Sequence, residues 1–259
     1  YGFFIAYGSD ESILIFSNNH TSWGSFFYDP KDDALRLNIK PIANPISQEW
    51  LKYEFINQTE NTAVVSLQWE KLKFEFKVEV DLVTTQLESF RKELKTEKGF
   101  LWQSWNQAVE FCIQKNTNLD EALVWADSAT SFNFGGDRSF SAWSNKAQLF
   151  RLKNKTDEAD KIMTKALPLG NMFEIHQYGK LLLSQKDNSK AFEIFKYNFQ
   201  RFPTEFTTLV GMARAYSANG DFKTSLKFAK EAFAKVPDPG NRMNLELMIE
   251  KLKSNKDIN

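Results

Sequence analysis

The sequence predicts an α+β multidomain chain in two segments, an antiparallel β-sandwich-like domain at residues 1–81 and a solenoid of paired α-helices at residues 82–257. Three observations carry this. Up to residue 81 the apolar residues fall in short, often alternating runs rich in aromatic and β-branched types, separated by turn clusters. Beyond it the apolar period becomes helical. Within the helical segment a single spacing of small residues recurs three times, which marks stacked repeats.

Seven runs read as strands: residues 3–7, 12–17, 23–28, 34–40, 50–56, 62–69 and 72–80. Leu35, Leu37 and Ile39 face one way and Arg36, Asn38 and Lys40 the other, as a period of two requires. Gly8-Ser9-Asp10, Ser17 to His20, Asp29 to Asp33 and Asn57 to Asn61 supply the turns. Only Glu70 and Lys71 separate the last two runs, so these read as a tight hairpin. After Asp81, Leu82, Leu87, Phe90 and Leu94 make a helical stripe, and Phe100, Leu101, Trp102 and Trp105 read as core between the two domains. The chain opens on Tyr1 inside a strand, which reads as a fragment of a longer protein whose export signal would lie in the missing segment.

The clearest helical unit lies between Pro203 and Pro237. Ala213 and Ser225 are small because two helices cross there at close range, Tyr216 fills the space beside the crossing, and Asn219-Gly220-Asp221 ends one helix and caps the next. Gly179 with Ala191, and Ala147 with Ala159, repeat the spacing. Trp105, Ala108 and Cys112, followed by Asn118 to Ala126, suit a fourth pair, although Glu110 stands where the small residue belongs and the loop from Phe132 to Arg138 lengthens it. Leu245, Met248, Ile249 and Leu252 then give a closing helix one apolar side.

This spacing resembles the tetratricopeptide repeat (TPR), which implies a non-enzymatic protein- or peptide-binding scaffold. Residues 1–81 (YGFFIAYGSDESILIFSNN, SWGSFFYDPKDDALRLNIKP and LKYEFINQTENTAVVSLQWEKLKFEFKVEV) resemble the C-terminal portion of a bacterial domain of unknown function found in exported proteins, with Trp23-Gly24, Tyr28-Asp29 and Asp33 to Arg36 the most distinctive residues. That resemblance implies a secreted, periplasmic or envelope location and a sheet lacking the family's first strands. It implies no activity.

Composition narrows the function classes. The 33 basic and 33 acidic residues cancel, so no global field favours nucleic acid or an acidic membrane surface. No apolar run reaches the roughly 18 residues that span a bilayer. The single cysteine, Cys112, sits on an apolar helix face and reads as a buried thiol. His20 and His176 fall in different domains, and no zinc-ligand spacing, phosphate loop or nucleophile elbow occurs, so neither a catalytic residue nor a cofactor nor a metal site is expected. The acidic turn of Asp29, Asp32 and Asp33, with Asp10 and Glu11 on another turn, reads as caps and solvated carboxylates.

If first helices line the concave side of the stack, the residues flanking each small crossing position point into the groove. Those chosen are Gln148 and Arg151, His176 and Lys180, and Arg214 and Ser217, with Arg151, Lys180 and Arg214 forming a basic line for a carboxylate or acidic peptide. The Lys and Asn pair by which some TPR proteins grip a terminal carboxylate is absent: Ser144/Gln148, His176/Lys180 and Val210/Arg214 stand there. The alternative is a carbohydrate or small ligand on an aromatic face of the β domain formed by Trp23, Phe26 and Tyr28.

Overall fold

A computed structural model describes residues Tyr1–Asn259, which divide into two compact units, Tyr1–Glu88 and Ser89–Asn259. The first unit holds five strands rather than seven: β1 (Gly2–Ala6), β2 (Ser12–Ser17), β3 (Asp33–Ile39), β4 (Ile42–Ile56) and β5 (Thr62–Glu79). They form two antiparallel sheets, one ordered β1-β2-β3 and the other the long β4-β5 hairpin. Gly2 pairs with Ser17 and Ala6 with Ile13, and the Ser12 hydroxyl clasps Gly8 N and O across the intervening turn at 3.1 and 3.0 Å. The sheets meet through aromatic rings, Phe3 and Phe16 on the first lying 5.7 and 5.5 Å from Phe76 on the second. Burial of β2 on both faces follows from its central place, with Leu14 wholly buried.

Two strand expectations change. Residues 23–28 form a turn, because Gly24 sits at φ +64° in the left-handed region, which breaks the pleat. The expected hairpin around Lys71 does not exist: Glu70 takes φ +50°, a local kink, and the chain continues as one strand. The hairpin turn lies at 57–61 instead, where Thr59 N donates to Thr62 O at 2.8 Å. Pro45 explains the break in β4-β5 pairing between Ala43 and Gln48, since it has no N–H to give the ladder.

From Leu82 the chain is helical: α1 (Leu82–Glu93), α2 (Trp102–Lys115), α3 (Leu119–Ala129), α4 (Phe140–Leu152), α5 (Thr156–Ala166), α6 (Met172–Ser184), α7 (Asn188–Arg201), α8 (Phe206–Ala218), α9 (Phe222–Phe233) and α10 (Pro239–Lys253). Pairs α2/α3, α4/α5, α6/α7 and α8/α9 stack as a TPR-like solenoid that α10 closes. The crossing logic of the sequence is visible atom by atom. Ser225 is fully buried and its hydroxyl donates to Ala213 O at 2.7 Å, so a small polar residue both permits the approach and satisfies itself there. Ala147, Ala159 and Ala191 are fully buried. A Cβ on Gly179 would fall 2.7 Å from the Phe195 ring, and so would one on Gly211. In α2/α3 the expected gap in the pattern is filled by polar bonding, with Glu110 accepting from Asn106 and Asn145, each at 2.9 Å. Trp105 packs inside the helical unit, its indole donating to Gly99 O at 2.8 Å and its ring meeting Phe134, while Phe100 and Leu101 are exposed.

Candidate functional site

The inner helices α6, α8 and α10 enclose an open cleft of about 900 Å³. Met172, Phe173, His176 and Lys180 come from α6, Phe206, Val210 and Arg214 from α8, and Leu245, Met248 and Lys251 from α10. These side chains share a cleft because they sit at successive turns of neighbouring helices. Lys180, Arg214, Lys235 and Lys251 line it against one carboxylate, Glu205. The lining thus sets four cations among apolar side chains.

His176 is 8% exposed, lies edge-on to Phe195 at 5.4 Å and has no hydrogen-bond partner at Nδ1. Burial, reinforced by Arg214 and Lys180, pushes its pKa down to about 4, so the ring is neutral in the cleft wall. Arg214 is held below its usual range by burial, which Asp257 only partly offsets. Its Nε has no partner, and Nη1 reaches Ile258 O and Asn259 Oδ1 only at 3.4 Å. Ser217 donates to Asp257 Oδ1 at 2.6 Å and accepts from Ile258 N at 3.1 Å. Despite partial burial, the Ser217 hydroxyl and Asn259 hold the Asp257 carboxyl below the ordinary range.

The remaining chosen residues stand apart from this cleft. Arg151 is ion-paired to Asp160 and Asp187 at 2.7 and 2.9 Å with its side chain only 9% exposed, so its charge is neutralised within the stack. The basic line expected from sequence therefore shrinks to Lys180 and Arg214, because carboxylates from α5 and the α6–α7 turn reach Arg151 first. Gln148 is buried, with Oε1 unpartnered. Sequence reasoning missed Lys235 and Lys251, and it missed residues 257–259. The one available signal was Ile258, a single branched apolar residue in an otherwise polar stretch.

In the β unit, Trp23 and Phe26 stack on each other at 6.1 Å and are 81% and 83% exposed. Tyr28 is half-buried against Phe4, donates to Asp33 at 2.7 Å and accepts from Arg36 at 2.7 Å. That carboxylate raises the Tyr28 pKa. Tyr28 is thus tied into turn structure and not free beside Trp23 and Phe26. A separate aromatic cleft of about 490 Å³ lies between Phe3, Tyr7, Tyr53, Trp69 and Phe74, with Glu70 at its rim. Asp29 caps Lys31 N at 2.9 Å and Asp33 binds Tyr28 and Arg36, which accounts for two carboxylates of the acidic turn. No group of three or more His, Cys, Asp or Glu side chains is placed to hold a metal ion. Cys112 is buried, and burial pushes its thiol up to about 11. No helix is long and apolar enough to cross a membrane.

Residues 1–78 match the family model described as Protein of unknown function (DUF2911). No curated protein matches the chain. Among solved structures it is similar to TTC0263, a thermophilic TPR protein of Thermus thermophilus, at 13% identity over 66% of this chain and 91% of that one, with a TM-score of 0.44. It is similar to YrrB, a TPR protein with an unusual peptide-binding site, at 16% identity over 66% and 87% of the two chains and a TM-score of 0.37. PilF of Pseudomonas aeruginosa is similar at 15% identity over 62% and 75%, with a TM-score of 0.40. The chain joins a segment that matches a family of unknown function to a stack of paired helices.

Proposed function

We propose that the chain is a non-catalytic scaffold whose α6–α8–α10 cleft binds an acidic peptide or protein segment. The observation that carries this is the lining: apolar residues from three inner helices, with Lys180, Arg214, Lys235 and Lys251 facing a single Glu205. Charge complementarity of this kind steers encounter, and apolar anchors supply affinity. Of the six groove residues expected from the sequence, His176, Lys180 and Arg214 line this cleft, with His176 a neutral wall and the cations as charge partners, while Ser217 is buried beside it against Asp257 and Ile258. The test is a panel of labelled peptides of matched length in which acidic and basic residues alternate with apolar ones. Acidic members should bind, weaken with added salt, and lose at least tenfold in affinity to Lys180→Glu/Lys251→Glu; both lysines are exposed, so the fold is kept. Equal binding of acidic and basic peptides, or indifference to the double substitution, would overturn the reading.

A second reading places a carbohydrate or small apolar ligand on the β unit, at the Phe3–Tyr53–Trp69–Phe74 cleft more than at Trp23 and Phe26. Aromatic rings with one acidic rim residue supply stacking and a hydrogen-bond acceptor. Trp69→Ala should then remove the fluorescence response to whichever glycan in a panel produces one, and a silent panel ends this reading. The N-terminal resemblance supports assignment to a bacterial cell envelope, which fractionation of the source cells would refute by finding the protein in the cytosol.

A further inference from the structure

Beyond α10 the chain turns back on itself. Asn255 takes φ +54°, Lys256 N donates to Lys251 O at 2.9 Å, and residues 257–259 come to lie along the end of α8. There Ser217 reads two groups of the segment at once, the Asp257 carboxylate and the Ile258 N–H. Asn259 Nδ2 donates to Arg214 O at 3.1 Å. Ile258 is 6% exposed, packed in a cluster with Leu209, Ala213, Leu245 and Leu252, while Asp257 and Asn259 on either side are exposed. One buried apolar anchor flanked by main-chain and carboxylate contacts is how an extended peptide is held.

We propose that Asp257–Asn259 is an internal ligand seated on a subsite that adjoins the groove and shares Arg214 with it, and that the partner displacing it presents the same chemistry, an acidic residue followed by a branched apolar one. This rests on the groove reading above. Three features favour displacement over a fixed structural role. The segment has no regular secondary structure and buries a single side chain, Ile258, while the exposed Asp257 and Asn259 are held by hydrogen bonds. Its hold on Arg214 is incomplete, with two contacts of 3.4 Å and an unpartnered, buried Nε. Arg214 also lines the adjoining open cleft, so a longer acidic segment can enter there and complete the guanidinium's hydrogen bonds in forked geometry. The tethered segment competes at an effective concentration in the millimolar range, which masks the subsite from weak ligands and leaves it open to strong ones.

Two measurements on the full chain test this. In hydrogen exchange the Ile258 amide should exchange at least about a hundredfold faster than that of Leu252 on α10, through local opening. Equal protection would make the segment a fixed cap and overturn the proposal. The second uses a labelled peptide of sequence SNKDIN, residues 254–259, added in trans. It should bind Ile258→Glu at least tenfold more tightly than the unsubstituted chain, and Ser217→Val added to that variant should abolish the gain. Ile258→Ser serves if Ile258→Glu loses its helical circular dichroism. No gain in a folded variant overturns the internal ligand. Acidic peptides that still bind in a Lys180-dependent manner would at the same time leave the groove reading standing, and their loss as well would remove both.

Discussion

His176 enters the folded state as a neutral ring between Phe195 and α8, with Arg214 and Lys180 nearby, and this has a pH signature. An unfolded histidine titrates near 6.5. The folded pKa, at about 4, is depressed. Above 6.5 the ring is neutral in both states, and between 6.5 and 4 only the unfolded chain takes up the proton, so stability falls as pH drops through that window. The full effect is on the order of 3 kcal/mol. Denaturant unfolding at pH 7 and pH 5 should show a larger loss in the unsubstituted chain than in His176→Gln, and equal losses would refute the burial argument. The sequence marked His176 as a groove residue, but nothing in it said that the ring would be neutral. Ser225 was more legible, because a small residue at that spacing has one geometric purpose; the bond from its hydroxyl to Ala213 O adds about 1 kcal/mol to that purpose.

At the scale of elements, the turns between paired helices share one backbone device. Asn154, Lys186 and Gly220 occupy the same place in successive pairs, and all are left-handed, at φ +59°, +61° and +79°. Only Gly220 announced itself in the sequence. Asn154 is a tolerable second choice, whereas Lys186 gives no signal because lysine has no local preference for the left-handed region. A left-handed non-glycine residue costs roughly 1–2 kcal/mol, some of which glycine returns as chain entropy. Lys186→Gly should therefore stabilise by about 0.5–1 kcal/mol and raise Tm by a few degrees, and a lower Tm would contradict the strain argument. The capping box at α6, where Asn171 accepts from Glu174 N and Glu174 returns a carboxylate to Asn171 N, makes the opposite prediction. Asn171→Ala should cost about 1 kcal/mol in thermal or chemical unfolding, and a cost near zero would mean that tertiary packing alone fixes this helix start. Strand boundaries were read less well than helices. Glu70 and Lys71, expected as a turn, instead stay within one strand despite the kink at Glu70, so two expected strands are one.

For the whole molecule, each unit has its own core, that of the helical unit running from Phe140 through Tyr178, Phe195 and Met212 to the cluster beneath α10. Stacked pairs owe their stability to nearest neighbours, so residues 89–259 expressed alone should keep their helical circular dichroism and melt cooperatively. A featureless spectrum would mean that the solenoid needs the first unit. The repeat architecture was legible because its small-residue spacing is written three times over. The cleft was only partly legible, since its lining from α6, α8 and α10 depends on which charges neighbouring elements neutralise, and Asp160 and Asp187 removed Arg151 from the expected basic line. One wedge lies between two of the cleft's helices. The Phe195 ring on α7 presses against Gly179 on α6 and Gly211 on α8, touching the backbone of both inner helices. It works as a shim between the two helices at this joint, where bare backbone faces the ring from both. A methyl on either glycine would fall 2.7 Å from that ring, and one on Gly211 also 3.2 Å from His176 Nδ1, so either substitution would force the helices apart at this joint and reshape the cleft beside it.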